Sequence, residues 1–457
     1  MINTWGSVVI SLSTLMLTHQ SCLAASEENV LLDLTPVQID PKLLPLADKV
    51  AQEDPSSVRT DTRSLTPAEK KIQKILTEEQ KQTIEFYEEL VRQLESSGGV
   101  YQMQLSEILL SLGDTYQTLG QYEEAIEIYK RSLHISRVND GLYSLNQIVM
   151  LEKMIESNNK LKDWDALNKN YHNLYWISKR HYGENSPELL ALIDRLGRWH
   201  LQAYELAPGK ESFFHLINAE LLYNKSVEII EQQNGTRDLR LINALYGIAL
   251  TNFQIAAQVS SIENFDDIRS GFRDSNQTRR MLQEQRARQD LITQSYIKGR
   301  NAMNQIIDIH ASNPILPLDT QAMAMTHLGD WYLLFNKRNS AAETYDQAYE
   351  LMRNDGMEQA KIDRLFGQPR SLPAIKLPTQ NRDELIPEDP FFVLASFDVS
   401  PSGKAQNIRI LDSKPKDNVS YLRRAKRSIA STKFRPRYEN GEPVKTTGVN
   451  LRYVFTD

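Results

Sequence analysis

From Pro67 to about Leu365 apolar side chains recur at intervals of three and four residues, which gathers them on one side of a helix, so the spacing predicts a region that is helical outside its turns. It opens on Thr66-Pro67-Ala68-Glu69: the threonine suits an N-cap, the proline a first turn, and the glutamate completes a capping box. After Pro390 the period changes to two. Phe392, Leu394, Ser396 and Asp398 alternate with Val393, Ala395, Phe397 and Val399, Pro401-Ser402-Gly403-Lys404 makes a turn, and residues 405–411 return as the second strand of a hairpin. Residues 419–432 revert to helical spacing, with Leu422, Ala425 and Ile429 on one face and Arg423, Arg424, Lys426 and Arg427 mostly on the other. A final strand pair is broken by an Asn440-Gly441 turn, and its last member, residues 448–455, sets Val449, Leu451, Tyr453 and Phe455 against Asn450, Arg452 and Val454.

Three stretches fit neither period. Residues 1–24 hold an uncharged, largely apolar run from Trp5 to Thr18, about 14 residues and short of the ~20 that span a bilayer, followed by Cys22-Leu23-Ala24 with small residues on either side of Leu23. That is the layout of a cleaved signal peptide. His19-Gln20-Ser21 is a poor match to a lipidation signal at Cys22. Residues 25–65 carry Pro36, Pro41, Pro45 and Pro55 and read as an extended tether, and residues 366–390 carry Pro369, Pro373, Pro378, Pro387 and Pro390 and read as a semi-rigid linker. The expected organisation is therefore leader, tether, a helical region over 66–365, linker, and a small α+β domain over 391–457.

Within the helical region two stretches align without a gap. Leu109, Leu112, Gly113, Tyr116, Ala125, Tyr129 and Ser132 match Met325, Leu328, Gly329, Tyr332, Ala341, Tyr345 and Ala348, and Leu196-Gly197, His200, Ala219, Tyr223 and Ser226 match again across a longer connection. This pattern resembles the tetratricopeptide repeat, in which small residues mark where the two helices of a unit meet; His181-Tyr182-Gly183-Glu184-Asn185-Ser186-Pro187-Glu188 is similar to the turn between its units. The resemblance implies an α-solenoid of about six or seven helical pairs, interrupted by an arginine-rich insertion over 263–289 that is either a solvated loop or an extended helix. It also implies a concave face, lined from the first helices by Asp114 and Gln117, Asp194 and Arg198, and Asp330 and Leu333, that binds protein or peptide segments.

The C-terminal motifs Phe397-Asp398-Val399-Ser400-Pro401-Ser402-Gly403-Lys404, Ile410-Leu411-Asp412-Ser413, Lys433-Phe434-Arg435-Pro436 and Gly441-Glu442-Pro443-Val444 resemble the C-terminal domain of TonB. In that family the domain captures an extended segment of an outer-membrane receptor by strand addition. Arg452 is the only charge between Gly448 and Thr456, so the edge Val449, Asn450, Leu451, Arg452 and Tyr453 lacks the usual protection and is a candidate for added strands, including weak self-association.

Composition sharpens the choice among functions. Forty per cent hydrophobic and 25 per cent charged residues describe an ordinary folded protein, and the net charge of −6 conceals a division. Residues 391–457 carry 13 basic against 6 acidic side chains, so +7 follows −13. In an exported chain a basic domain favours an acidic protein surface or anionic lipid over nucleic acid, which is not an expected partner. Cys22 is the one cysteine, and the eight histidines form no paired-ligand motif, so no metal, cofactor or catalytic residue is expected; His200 and His327 read as packing or surface residues. The reading is a mostly α, noncatalytic periplasmic scaffold of the bacterial envelope, with a TonB-type energy transducer on an uncleaved anchor and an enzyme with an unrecognised helical site as alternatives.

Overall fold

The computed structural model describes residues 67–206, 210–261, 275–373, 391–416 and 418–455. The leader, the tether, Thr66 and residues 374–390 lie outside them. The chain divides into two compact units, one ending at Leu174 and the other beginning at Tyr175.

The first unit contains α1 (Pro67–Gly98), α2 (Met103–Thr118), α3 (Tyr122–Asp140), α4 (Gln147–Leu161) and the start of α5 (Trp164–Tyr182). Val91, Leu105, Leu109 and Ile135 close a core between α1, α2 and α3. The second unit continues through a short 3-10 turn at Pro187–Leu189 into α6 (Leu190–Leu206), α7 (Lys210–Asn234), α8 (Leu241–Ser261), α9 (Ser275–Ala311), α10 (Leu318–Leu334), α11 (Arg338–Asn354) and α12 (Gln359–Phe366). Twelve helices, α1 to α12, thus lie between Pro67 and Phe366 among the described residues, six pairs in sequence. Two are long, α7 with 25 residues and α9 with 37, and α9 takes up residues 275–289 of the expected insertion as helix.

The matched stretches fold alike because the same residues solve the same problems. Each hairpin turn needs one left-handed residue, supplied by Gly120 at φ 75° and Asn336 at φ 62°. The backbone then bonds identically, Gln121 N–H to Tyr116 O at 2.9 Å and Lys337 N–H to Tyr332 O at 2.8 Å. Small residues let the helices close: Ser106 and Ser132 share a buried hydrogen bond of 2.9 Å, where the later repeat has Ala322 and Ala348. A Cβ on Gly113 would stand 2.4 Å from Tyr129 Cε1, and one on Gly329 2.5 Å from Tyr345 Cε1. Both rings are buried and held by their hydroxyls, so they cannot swing aside. Gly113→Ala and Gly329→Ala are each expected to cost about 1–2 kcal/mol, the overpacking penalty less what alanine gains in a helix, read as a lowered denaturation midpoint.

The C-terminal domain is an antiparallel three-stranded sheet, ordered β3 (Ala405–Lys414), β2 (Phe391–Val399), β7 (Thr446–Phe455), with α13 (Val419–Ser431) packed on one face. Val393, Ala395, Phe397 and Val399 of the central strand are buried, as the period-two pattern requires. Asn418 caps α13 by accepting from Ser420 N–H and Tyr421 N–H. Ala425 and Ile429 face the sheet, while Arg423, Lys426 and Arg427 are exposed and Arg424 lies over the Phe455 ring. The Asn440-Gly441 turn joins β5 (Arg437–Glu439) to β6 (Glu442–Val444), a separate small hairpin; β7 pairs with β2 instead.

The stretch expected as a linker starts out as ordered structure. β1 (Arg370–Ser371) pairs antiparallel with β4 (Phe434–Arg435), and Leu372 is buried in the core of α10, α11 and α12.

Candidate functional site

The first groove position is built by α2 and α3. Gly113 admits the Tyr129 ring, whose hydroxyl donates to Asp114 Oδ1 at 2.7 Å and lies 2.9 Å from Gln117 Oε1. Burial, reinforced by the hydrogen bond and charge of Asp114, pushes the Tyr129 hydroxyl above the usual tyrosine range. Lys153, from α4, reaches Asp114 Oδ1 at 3.0 Å. The Asp114 side chain keeps 43% of its exposure, and among the described residues the buried Gln117 Nε2 has no hydrogen-bond partner.

The middle position departs from this plan. The residue after Gly197 is Arg198, which cannot accept from a tyrosine, and it pairs instead with Asp194 one turn earlier at 2.9 Å. Burial holds the Asp194 carboxyl above its ordinary range against the pull of Arg198. Tyr223 accordingly has a buried hydroxyl without a partner. Its ring is wedged between Gly197 and Gly247, where added Cβ atoms would come within 2.8 and 2.5 Å.

The last position is closed. Asp330 and Leu333, expected on an open concave face, are buried, and residues of the C-terminal domain cover them. Arg435 Nε donates to Asp330 Oδ1 at 2.9 Å and its Nη2 to Oδ2, a fork matched to the carboxylate, while Nη1 bonds Leu365 O at 3.1 Å. Tyr345 donates to the same Oδ1 at 2.8 Å, repeating Tyr129 and Asp114. Lys433 Nζ bonds Leu334 O at 2.6 Å and Asn336 Oδ1 at 2.9 Å, placing a cation at the C-terminal end of α10, where the helix dipole favours one. Burial lowers the Lys433 pKa to about 8. Tyr438 stacks on Tyr349 at 6.0 Å and donates to Asp346 at 3.1 Å, and Gly403 lies against Leu333.

Strand alternation explains how one short segment serves two cores. Phe434 points into the core of the C-terminal domain, with Ala395, Phe397, Val399 and Ile429, while its neighbour Arg435 points into the helical array. The helical region and the small domain are therefore fastened by side chains as well as by the intervening chain. Nothing in the spacing marked Arg435, because its partner lies 105 residues away; the four-residue motif around it was the only sequence signal.

The predicted sheet edge is an edge. β7 pairs with β2 alone among the described residues; Val449, Leu451, Tyr453 and Phe455 pack toward α13, while Asn450 and Arg452 are exposed, the latter with its guanidinium 4.2 Å from the Phe392 ring centre. His200 is buried with its Nδ1 2.8 Å from His215 Nδ1, and His327 shares a 2.9 Å hydrogen bond with the Tyr246 hydroxyl. No group of three or more histidine, cysteine, aspartate or glutamate side chains is placed to hold a metal among the described residues, and none of the described helices is long and apolar enough to cross a membrane.

The family described as "Tetratricopeptide repeat" matches residues 76–137, which include the first groove position. The chain thus contains tetratricopeptide repeats, and its fold is a mostly helical solenoid followed by a small α+β domain. Among solved structures, BtubC from P. vanneervenii aligns at 12% identity over 68% of this chain and 98% of its own, with a TM-score of 0.32. The repeats of a putative kinesin light chain from Podosopora anserina align at 12% identity over 56% and 99%, TM-score 0.35, and a tetratricopeptide repeat protein from Parabacteroides merdae at 17% over 65% and 94%, TM-score 0.26. No curated protein matches the sequence significantly.

Proposed function

We propose that this chain is a noncatalytic protein-binding scaffold of the bacterial envelope, exported to the periplasm, which holds partner segments on the concave face of its repeats and at the β7 edge. Tetratricopeptide repeats generally serve as protein-interaction scaffolds. The observation that carries the reading here is the last groove position, where Asp330 and Tyr345 grip Arg435 of an extended strand: this chain's repeat chemistry holds a peptide segment within its own fold. The apolar run from Trp5 to Thr18 and the TonB-like motifs support the envelope location. Asp114, Gln117, Asp194 and Arg198 are the groove side chains left for a partner in trans.

Affinity capture from envelope extract, comparing the parent with Asp114→Asn/Gln117→Ala, is expected to show a protein retained by the parent and lost from the variant. Equal recovery would exclude the first groove. The β7 arm has its own readout: outer-edge amides between Thr446 and Phe455 are expected to exchange quickly in the free protein and slowly with partner bound, since strand addition gives them acceptors. Unchanged exchange would remove that arm.

A further inference from the structure

We infer that the first groove, at Asp114, Gln117 and Tyr129, is a binding site for an extended protein segment with basic side chains at alternate positions, an arginine on Asp114 and a lysine or arginine one strand period away at the end of α2. The inference rests on the scaffold reading and adds to it the chemistry of the partner.

The last groove supplies the template. There a carboxylate one residue after the close-packing glycine accepts from a tyrosine hydroxyl through Oδ1 and from an arginine through both oxygens. Two residues earlier on that strand, Lys433 sits on the final carbonyl of α10. The first groove repeats the receptor half. Asp114 follows Gly113, Tyr129 donates to Oδ1, and α2 ends at Thr118, which corresponds in the repeat to Leu334.

What differs is the occupant. Lys153 contributes a single ammonium 3.0 Å from Oδ1, and the Asp114 carboxylate stays partly exposed where Asp330 is covered by Arg435. A guanidinium presents two parallel N–H donors to the two carboxylate oxygens, a fit that a single ammonium lacks, so an incoming arginine has a bond to gain. Nearby acid charge favours the same sign of partner: Glu156 acts on Tyr129, and Glu88 accepts from Tyr116 at 3.1 Å. The middle groove has the opposite chemistry, since Arg198 stands where the other two carry aspartate.

The test uses the full chain and a labelled peptide of residues 431–437, Ser-Thr-Lys-Phe-Arg-Pro-Arg, with a second peptide carrying citrulline in place of the arginine after phenylalanine. Anisotropy titration is expected to show binding of the first peptide, weakened about tenfold by citrulline and about tenfold by Asp114→Asn, an isosteric change that keeps the acceptor for Tyr129. Glu127→Gln, at an exposed position on α3, should leave it unchanged. Failure of the parent to bind, equal affinity for the citrulline peptide, or equal binding by Asp114→Asn would each overturn the inference, the last also if the peptide had displaced the docked C-terminal domain. The citrulline comparison needs no variant to fold. A partner captured from envelope extract through Asp114 and Gln117 despite such a failure would keep the scaffold reading and discard only the basic segment.

Discussion

Asp330→Asn is expected to destabilise the unit beginning at Tyr175 by about 3–5 kcal/mol, because it leaves the Arg435 guanidinium buried without its counter-charge. Both partners are only 1% exposed, so water cannot take over the role of the carboxylate. Burial by itself would lower the Arg435 pKa, yet the charge of Asp330, its hydrogen bonds and Tyr345 more than offset that and hold it above the ordinary value. Asparagine keeps the acceptor for Tyr345, which isolates the loss of charge. Arg435→Met should cost a similar amount by stranding the carboxylate, and the double variant should recover much of the loss, since the pair has a large desolvation cost of its own. Denaturant titration of the four proteins gives the coupling. A loss below about 1 kcal/mol for Asp330→Asn, the level of a surface pair, would mean that the small domain is not seated on α10.

The second large effect is acid sensitivity. His327, one turn from Asp330 on α10, is largely buried against Tyr246, and burial lowers its pKa to about 4 from an ordinary value near 6.5. The charge of Asp330 draws it back up, and Arg435 and Arg370 push it further down. A depressed histidine stays neutral when folded but takes a proton when unfolded, so the unfolded state binds more protons between about pH 6.5 and 4. Stability is then complete above pH 6.5 and falls through that window, by about 3 kcal/mol at the bottom of it. His327→Asn should flatten this part of the stability profile relative to the parent, while the carboxylates titrating at lower pH continue to act on both proteins. Parallel profiles from pH 7 to 4 would show that His327 is solvated.

Much of the architecture could be read from the chain. The glycine and tyrosine pairs at 113 and 129, 197 and 223, and 329 and 345 mark where helices meet, and in the fold the same rings press on the same glycines. Alternation in residues 391–399 gave the central strand, and the spacing of Ala425 and Ile429 gave the buried face of α13. These are local signals, written within one helical hairpin or one strand. The closed state of Asp330 and Leu333 was not legible, because a position that faces a groove in one repeat faces a docked domain in another with no change in local pattern. Arg435 looked like one more cation in a basic domain until the fold brought Asp330 to it. The exchange of roles in the middle repeat is written in the sequence, where Arg198 follows Gly197 at the place of the aspartate in the other two stretches.

The central claim is that the first groove is an open receptor for a protein segment. A photo-activatable amino acid placed at Gln117 of the full chain in its native cells tests it most directly, with the same probe at Glu127, an exposed position on α3, as control. The account predicts a discrete protein adduct from position 117, lost on Asp114→Asn and absent from position 127. Adducts of equal yield from both positions, or none from position 117 while the protein is folded and present, would contradict it.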